Sequence, residues 1–140
     1  MKYLLDTSAI SEIIRPKPDA RALQWIRDRD EDSLFVSVIT IGELQKGAAR
    51  LEDGKRKQAL RAWIDEEVTR RFIGRILPVD LDIAEEWGRL QARARAAGRP
   101  LPAIDGLLVA TALVHRFAMV TRDTRDMSGR GVDLENPWSA

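Results

Sequence analysis

Lys2-Tyr3-Leu4-Leu5-Asp6-Thr7-Ser8-Ala9-Ile10-Ser11-Glu12 passes from a short apolar run into an acid and then into helical patterning. The same change recurs along the chain. Apolar runs cover residues 34–38, 76–79 and 118–121, with a weaker one at 132–134. Between them lie helical stretches near residues 8–14, 19–29, 40–51, 55–73, 81–97 and 104–116. A short apolar run without alternation is the pattern of a strand buried on both faces, and parallel strands need a crossover segment between them. The order therefore predicts an α/β chain, with a parallel sheet covered by helices on both faces.

Several boundaries have a chemical cause. Asp80 follows the third run and can cap the next helix. Gly74 ends the long fourth helical stretch. Gly98, Pro100 and Pro102 close one helix and separate it from the next. Leu107-Leu108-Val109-Ala110 is apolar nearly all round, which predicts a buried central helix.

The 140 residues fit one domain, spanning 1–140, with no repeat, low-complexity stretch or linker. Hydrophobic residues at 44% and charged residues at 32% describe a globular and not a disordered chain. The absence of cysteine excludes disulfides and thiolate metal sites and suits a reducing cytoplasm, the expected location. No apolar run approaches the roughly 20 residues of a membrane helix. The first residues turn acidic too soon for a secretory signal. Net charge is +1, so no global field points to nucleic acid. The cations are 18 arginines against 5 lysines; arginine suits bidentate phosphate contacts and is equally an ordinary helix-surface residue.

Ligands in an open parallel sheet bind beyond the carboxyl ends of the strands. Asp6 directly follows the first run, with Thr7 and Ser8 next, and Asp123 follows the fourth. Asp105 opens the buried helix, and Glu43 lies in the first turns of the helix after the second run. Each has an ordinary reading alone. Asp6 could cap a helix, Asp105 could favour a helix dipole, and Asp123 could be a turn residue. Glu43 lies about 120° from the stripe formed by Ile41, Leu44, Ala48 and Leu51, so it could be solvated surface. All four are compatible with one edge of one sheet, and together they are harder to dismiss than singly.

Gathered carboxylates repel unless a cation sits among them. Oxygen donors without thiolate, and almost without imidazole, select Mg²⁺, Mn²⁺ or Ca²⁺ over Zn²⁺. Such a site typically acts on phosphate esters. The one histidine, His115, excludes a two-histidine metal-free ribonuclease and reads as a helix-end residue. No Gly-rich phosphate loop or G-x-G-x-x-G occurs.

These residues resemble the PIN-domain ribonucleases, specifically the VapC-type toxins of bacterial toxin–antitoxin modules and their FitB-like branch. The likeness runs through Tyr3-Leu4-Leu5-Asp6-Thr7-Ser8-Ala9-Ile10-Ser11-Glu12 and Ser37-Val38-Ile39-Thr40-Ile41-Gly42-Glu43-Leu44-Gln45-Lys46-Gly47. It continues in Gly74-Arg75-Ile76-Leu77-Pro78-Val79-Asp80 and Ile104-Asp105-Gly106-Leu107-Leu108-Val109-Ala110-Thr111-Ala112. It closes with Val120-Thr121-Arg122-Asp123 and Asn136-Pro137-Trp138. The resemblance implies a three-layer α/β/α sandwich with a mainly parallel four- or five-stranded sheet. It implies that Asp6, Glu43, Asp105 and Asp123 match the family's acidic quartet, holding Mg²⁺ or Mn²⁺ for RNA cleavage. It also implies a homodimer and a cognate antitoxin, through whose complex operator DNA is bound.

Where the family most often has asparagine after Asp6-Thr7, this chain has Ser8, whose hydroxyl can hold a water or a backbone group. Thr7 and Thr121 could orient carboxylates or waters, and Thr121 could equally just end a strand. Asp126, three residues beyond Asp123, could be an outer ligand or loop surface. Arg122 could contact phosphate or neutralise the quartet. Trp25, Trp63, Trp87 and Trp138 suit core or dimer packing better than base stacking.

Two other classes compete with a nuclease. A phosphate-accepting receiver domain is also a small α/β unit, but it needs paired acids after the first strand and a late lysine. Asp6 stands alone, and no lysine follows Lys57. A catalytically silent module acting only through antitoxin and DNA binding would have no need of four acids.

Overall fold

Five strands form one wholly parallel sheet in the computed structural model, which describes residues 1–139. They are β1 (Tyr3–Leu5), β2 (Leu34–Ser37), β3 (Ile76–Leu77), β4 (Ala118–Val120) and β5 (Leu134–Glu135), in the order β3-β2-β1-β4-β5. The register sets Leu5 beside Val36 on one side and Val120 on the other. Successive side chains of a strand face opposite ways. Leu4 and Met119 therefore enter one core, while Leu5, Val36 and Val120 enter the other.

The two cores are closed by different helices. On the Leu5 face lie α1 (Thr7–Ile14), α2 (Ala20–Arg27) and α3 (Val38–Ala49), contributing Ala9, Ile10, Ile26, Leu44 and Ala48. The same face is covered by α4 (Lys55–Ala62), a π-helical stretch (Trp63–Val68) and α5 (Thr69–Arg71), ahead of the buried Phe72. On the Leu4 face, α6 (Leu81–Ala96) and α7 (Ala103–His115) contribute Leu90, Ala94, Leu108, Val109 and Ala112. Full burial of an aliphatic side chain is worth about 1.5–3 kcal/mol, so the double-sided apolar strands hold the layers together. The result is the expected α/β/α sandwich.

Local chemistry explains the boundaries. Asp80 caps α6, accepting from the Ile83 amide at 2.9 Å. Gly98 at φ 71° and Gly74 at φ 78° take the left-handed turns after their helices. The stretch expected as one helix over 55–73 contains the π-helical turn, where Thr69 Oγ1 donates to the Ile64 carbonyl five residues back at 2.7 Å. The fifth strand lies two residues later than its apolar run, because β4 pairs Met119 with Leu134 and Val120 with Glu135. A short helix α8 (Thr124–Met127) was not legible; Asp123 starts it as a cap. Among the described residues no helix is long and apolar enough to cross a membrane.

Strand order sets where a ligand can enter. From β1 the chain moves to β2 on one side, and from β4 it moves to β5 on the other. The crevice at the carboxyl ends of β1 and β4 is thus the switch point at which open α/β sheets bind ligands.

Candidate active site

Asp6 stands at that crevice. Its amide continues the sheet by donating to the Val120 carbonyl at 3.1 Å. Its carboxylate caps α1, accepting from the Ala9 amide at 3.0 Å and from Ser8 Oγ at 2.6 Å. The cap reading of Asp6 is therefore correct, and the same carboxyl is also 7% exposed at the floor of the crevice. Burial pushes it above the ordinary aspartate range. Hydrogen bonds from Ser8, Thr121 and the Ala9 and Ser8 amides take back part of the rise.

Glu43 reaches the same place from α3. Thr7 Oγ1 donates to Glu43 Oε1 at 2.6 Å, and the buried Thr40 hydroxyl lies 3.4 Å from Thr7 Oγ1. Glu43 is half-buried and not a solvated surface residue.

Asp105 lies in the first turn of α7. A methyl group at Gly106 would come within 2.4 Å of Gln91 Nε2 and 3.1 Å of Trp87 Nε1, so glycine lets α7 lie against α6. The Trp87 indole donates to the Ala103 carbonyl at 3.1 Å, pinning the turn that carries Asp105. Burial raises the Asp105 carboxyl, and the charges of Asp123, Glu43, Asp6 and Asp126 raise it further. Four other acids, from three other places in the chain, therefore bear on this one carboxyl.

Asp123 caps α8. Its amide donates to Thr121 Oγ1 at 3.0 Å, and its Oδ1 accepts from the Asp126 amide at 3.4 Å. Thr121 is fully buried. Its hydroxyl oxygen accepts from the Asp123 amide and its hydroxyl bonds the Asp6 carboxylate, so it does more than end a strand. Asp126 is exposed, yet its charge still reaches Asp105.

Among the described residues none of Asp6, Glu43, Asp105, Asp123 and Asp126 forms an ion pair. Arg122 lies instead over the Trp138 ring, 5.4 Å from its centroid, and its charge bears on Glu12 and Asp19. The acids remain without a neutralising side chain. No three of them stand close enough to enclose a metal ion among the described residues. The donor chemistry itself, all carboxylate and hydroxyl oxygen, fits a hard divalent cation.

The profile of the family described as "PIN domain" matches residues 3–128. The chain belongs to that family. A relative from Sinorhizobium fredii, named VapC ribonuclease Y4jK, is 38% identical over 96% of each chain. Toxin FitB of Neisseria gonorrhoeae is 36% identical over 96% of this chain and 97% of its own. The solved structure of FitAB bound to the IR36 DNA fragment superposes with a TM-score of 0.93 at 35% identity, covering 99% of this chain and 96% of that one. This PIN domain thus falls among the VapC/FitB toxins of toxin–antitoxin pairs.

Two residues of this PIN domain escaped the sequence reading. Thr40 backs the Thr7–Glu43 bond. Glu12 is 1% exposed and accepts from the Trp138 indole at 2.6 Å. The one signal for Glu12 was a lone acid between Ile10 and the Ile13-Ile14 pair. His115 sits in the last turn of α7, 5.3 Å from the Phe117 ring, as a helix-end residue.

Proposed function

We propose that this chain is a divalent-metal-dependent endoribonuclease, the toxin partner of a cognate antitoxin. One observation carries the reading: Asp6 at the end of β1, Glu43 bonded to the adjacent Thr7, Asp105 in the first turn of α7 and Asp123 after β4 gather at the sheet's switch point with no ion-pair partner among the described residues, and burial and then their charges push the Asp105 carboxyl up. Such crowding of unpaired carboxylates costs stability unless a ligand repays it.

Asp6, Glu43, Asp105 and Asp123 would hold Mg²⁺ or Mn²⁺. A bound ion of this kind supplies Lewis-acid polarisation of a phosphoryl oxygen and lowers the pKa of water. The protein's own part is orientation. Ser8 and Thr121 fix the Asp6 carboxylate, Thr7 fixes Glu43, and Thr121 fixes the turn of Asp123. Hydrolysis consumes one water per phosphodiester and breaks one P–O bond to the leaving ribose oxygen. Asp126, at the rim, acts on the site through its charge. Arg122, exposed beside Asp123, is suited to a neighbouring phosphate.

The same reading takes the chain as a single cytoplasmic domain that pairs with itself as a homodimer. It is silenced by its antitoxin, and operator DNA is met only through that complex. The likeness to FitAB on DNA supports this partnership.

Purified protein is incubated with total RNA in Mg²⁺, in Mn²⁺ and in chelator, beside Asp6→Asn. Metal-dependent fragments that vanish in Asp6→Asn are the expected result. No fragments under any condition, with antitoxin binding retained, would transfer the fold to a binding-only role.

A further inference from the structure

Trp138 lies far from Asp6 in sequence but is tied to the crevice by several bonds. It is 6% exposed. Its indole N–H donates to Glu12 Oε1 at 2.6 Å, and the other Glu12 oxygen accepts from the Asp19 amide at 3.1 Å. Arg15 stands 3.5 Å from the same carboxylate, and Arg21 donates to the Trp138 carbonyl. A buried carboxylate with so many donors is costly to build and rigid once built.

The segment so fixed holds Arg122 at two points, and Ser8 of α1 at a third. The Arg122 guanidinium lies over the Trp138 ring at 5.4 Å. The Asn136 side-chain amide reaches the Arg122 carbonyl at 3.5 Å, while Asn136 Oδ1 accepts from the Trp138 amide at 3.0 Å. The Arg122 amide meets Ser8 Oγ at 3.4 Å, and that hydroxyl donates to Asp6. Arg122 is the residue before Asp123, and its side chain is exposed.

We propose that Trp138, anchored by Glu12, is a positioning residue that holds the Arg122 guanidinium at the rim of the acidic crevice as a contact for an RNA phosphate. This rests on the nuclease reading above. An arginine held on an aromatic face loses less freedom on binding phosphate than a free one. It also keeps its charge out of the acid cluster, where it would compete with a metal ion.

The test follows cleavage of a labelled single-stranded RNA that the wild type cuts. Arg122→Ala should raise KM about tenfold, the worth of one charge-assisted hydrogen bond, with kcat within about twofold. Trp138→Leu should match it, and the double variant should add little more. Each should also reduce the salt dependence of log KM by about 0.7, one phosphate contact on a single strand. Trp138→Phe keeps the aromatic face and loses the indole N–H. It should retain KM within about twofold while melting earlier, as Trp138→Leu does. Asn136→Ala removes the acceptor for the Trp138 amide and the donor to the Arg122 carbonyl, which loosens the ring from Arg122; it should raise KM with a smaller loss of salt dependence, and it carries the test if Trp138→Leu does not fold.

Wild-type KM and salt dependence in folded Trp138→Leu, or in Asn136→Ala, would overturn the proposal. So would loss of activity in both Trp138 variants in proportion to melting temperature, which marks a purely structural role. Those outcomes leave the nuclease reading standing; absence of any metal-dependent cleavage by the wild type removes both.

Discussion

Thr7 Oγ1 and Glu43 Oε1 lie 2.6 Å apart, so the first turn of α1 holds an acid carried by the middle of α3. The bond fixes which way Glu43 faces. Thr7→Val keeps the shape and removes the donor. Metal affinity, read from the Mn²⁺ dependence of cleavage, should fall about 10- to 100-fold, the usual cost of losing an orienting partner. Thr7→Ser should keep most of it. Equal affinities in all three proteins would detach Thr7 from the site.

Asp105→Asn removes one charge from a crowded group. Without metal it should raise the melting temperature by about 2–4 °C, since repulsion at a partly exposed site is worth up to about 1 kcal/mol. The pH dependence comes from the raised carboxyl. A carboxyl held above 3.8 in the folded chain favours folding while protonated. That contribution is complete below the ordinary value and is lost as pH rises through the folded value. The advantage of Asp105→Asn should therefore grow from about pH 4 toward neutrality in chelator. Added Mg²⁺ should stabilise the wild type and leave the variant nearly unmoved, as scanning calorimetry would record.

Glu12 has the opposite sign. Burial alone would raise its carboxyl, but the Trp138 indole, the Asp19 amide, Arg15 and Arg122 outweigh it and hold the group below the ordinary 4.5. Its stabilisation is present above that value and is lost as pH falls through the folded one. Glutamine can still accept from the indole, but its amide nitrogen cannot accept from the Asp19 amide. Glu12→Gln should cost about 1.5–3 kcal/mol at neutral pH by urea denaturation, and the difference should shrink in acid. A cost that is flat with pH would contradict the charged network.

Arg116 ends α7 at φ 59°, the one non-glycine residue with positive φ among the described residues. A side chain there costs about 1 kcal/mol relative to glycine. Arg116→Gly should raise the melting temperature by about 3 °C and leave cleavage unchanged. An unchanged or lower melting temperature would mean that the side chain offsets the strain.

Which parts of this protein were legible before folding has a physical pattern. The strands showed as unalternating apolar runs because β1, β2 and β4 are buried on both faces. The caps Asp6 and Asp80 showed because a helix start needs an acceptor for its free amides. The acids Asp6 and Asp123 showed because parallel strands all present their carboxyl ends to one edge. The π-helical turn, the shifted β5 and the single turn of α8 were hidden, since each is set by partners from elsewhere: Thr69 on Ile64, Leu134 on Met119, and Asp123 on Asp126.

The sequence by itself determined the α/β class and the layering of helices on a parallel sheet, because hydrophobic period and strand polarity are local properties of the chain. Only the tertiary structure decided that Asp105 feels the other acids, that Thr7 holds Glu43, and that Glu12 lies buried beneath Trp138. Those facts depend on distances between residues that are remote in sequence, and such distances exist only once the sheet has brought β1 and β4 side by side.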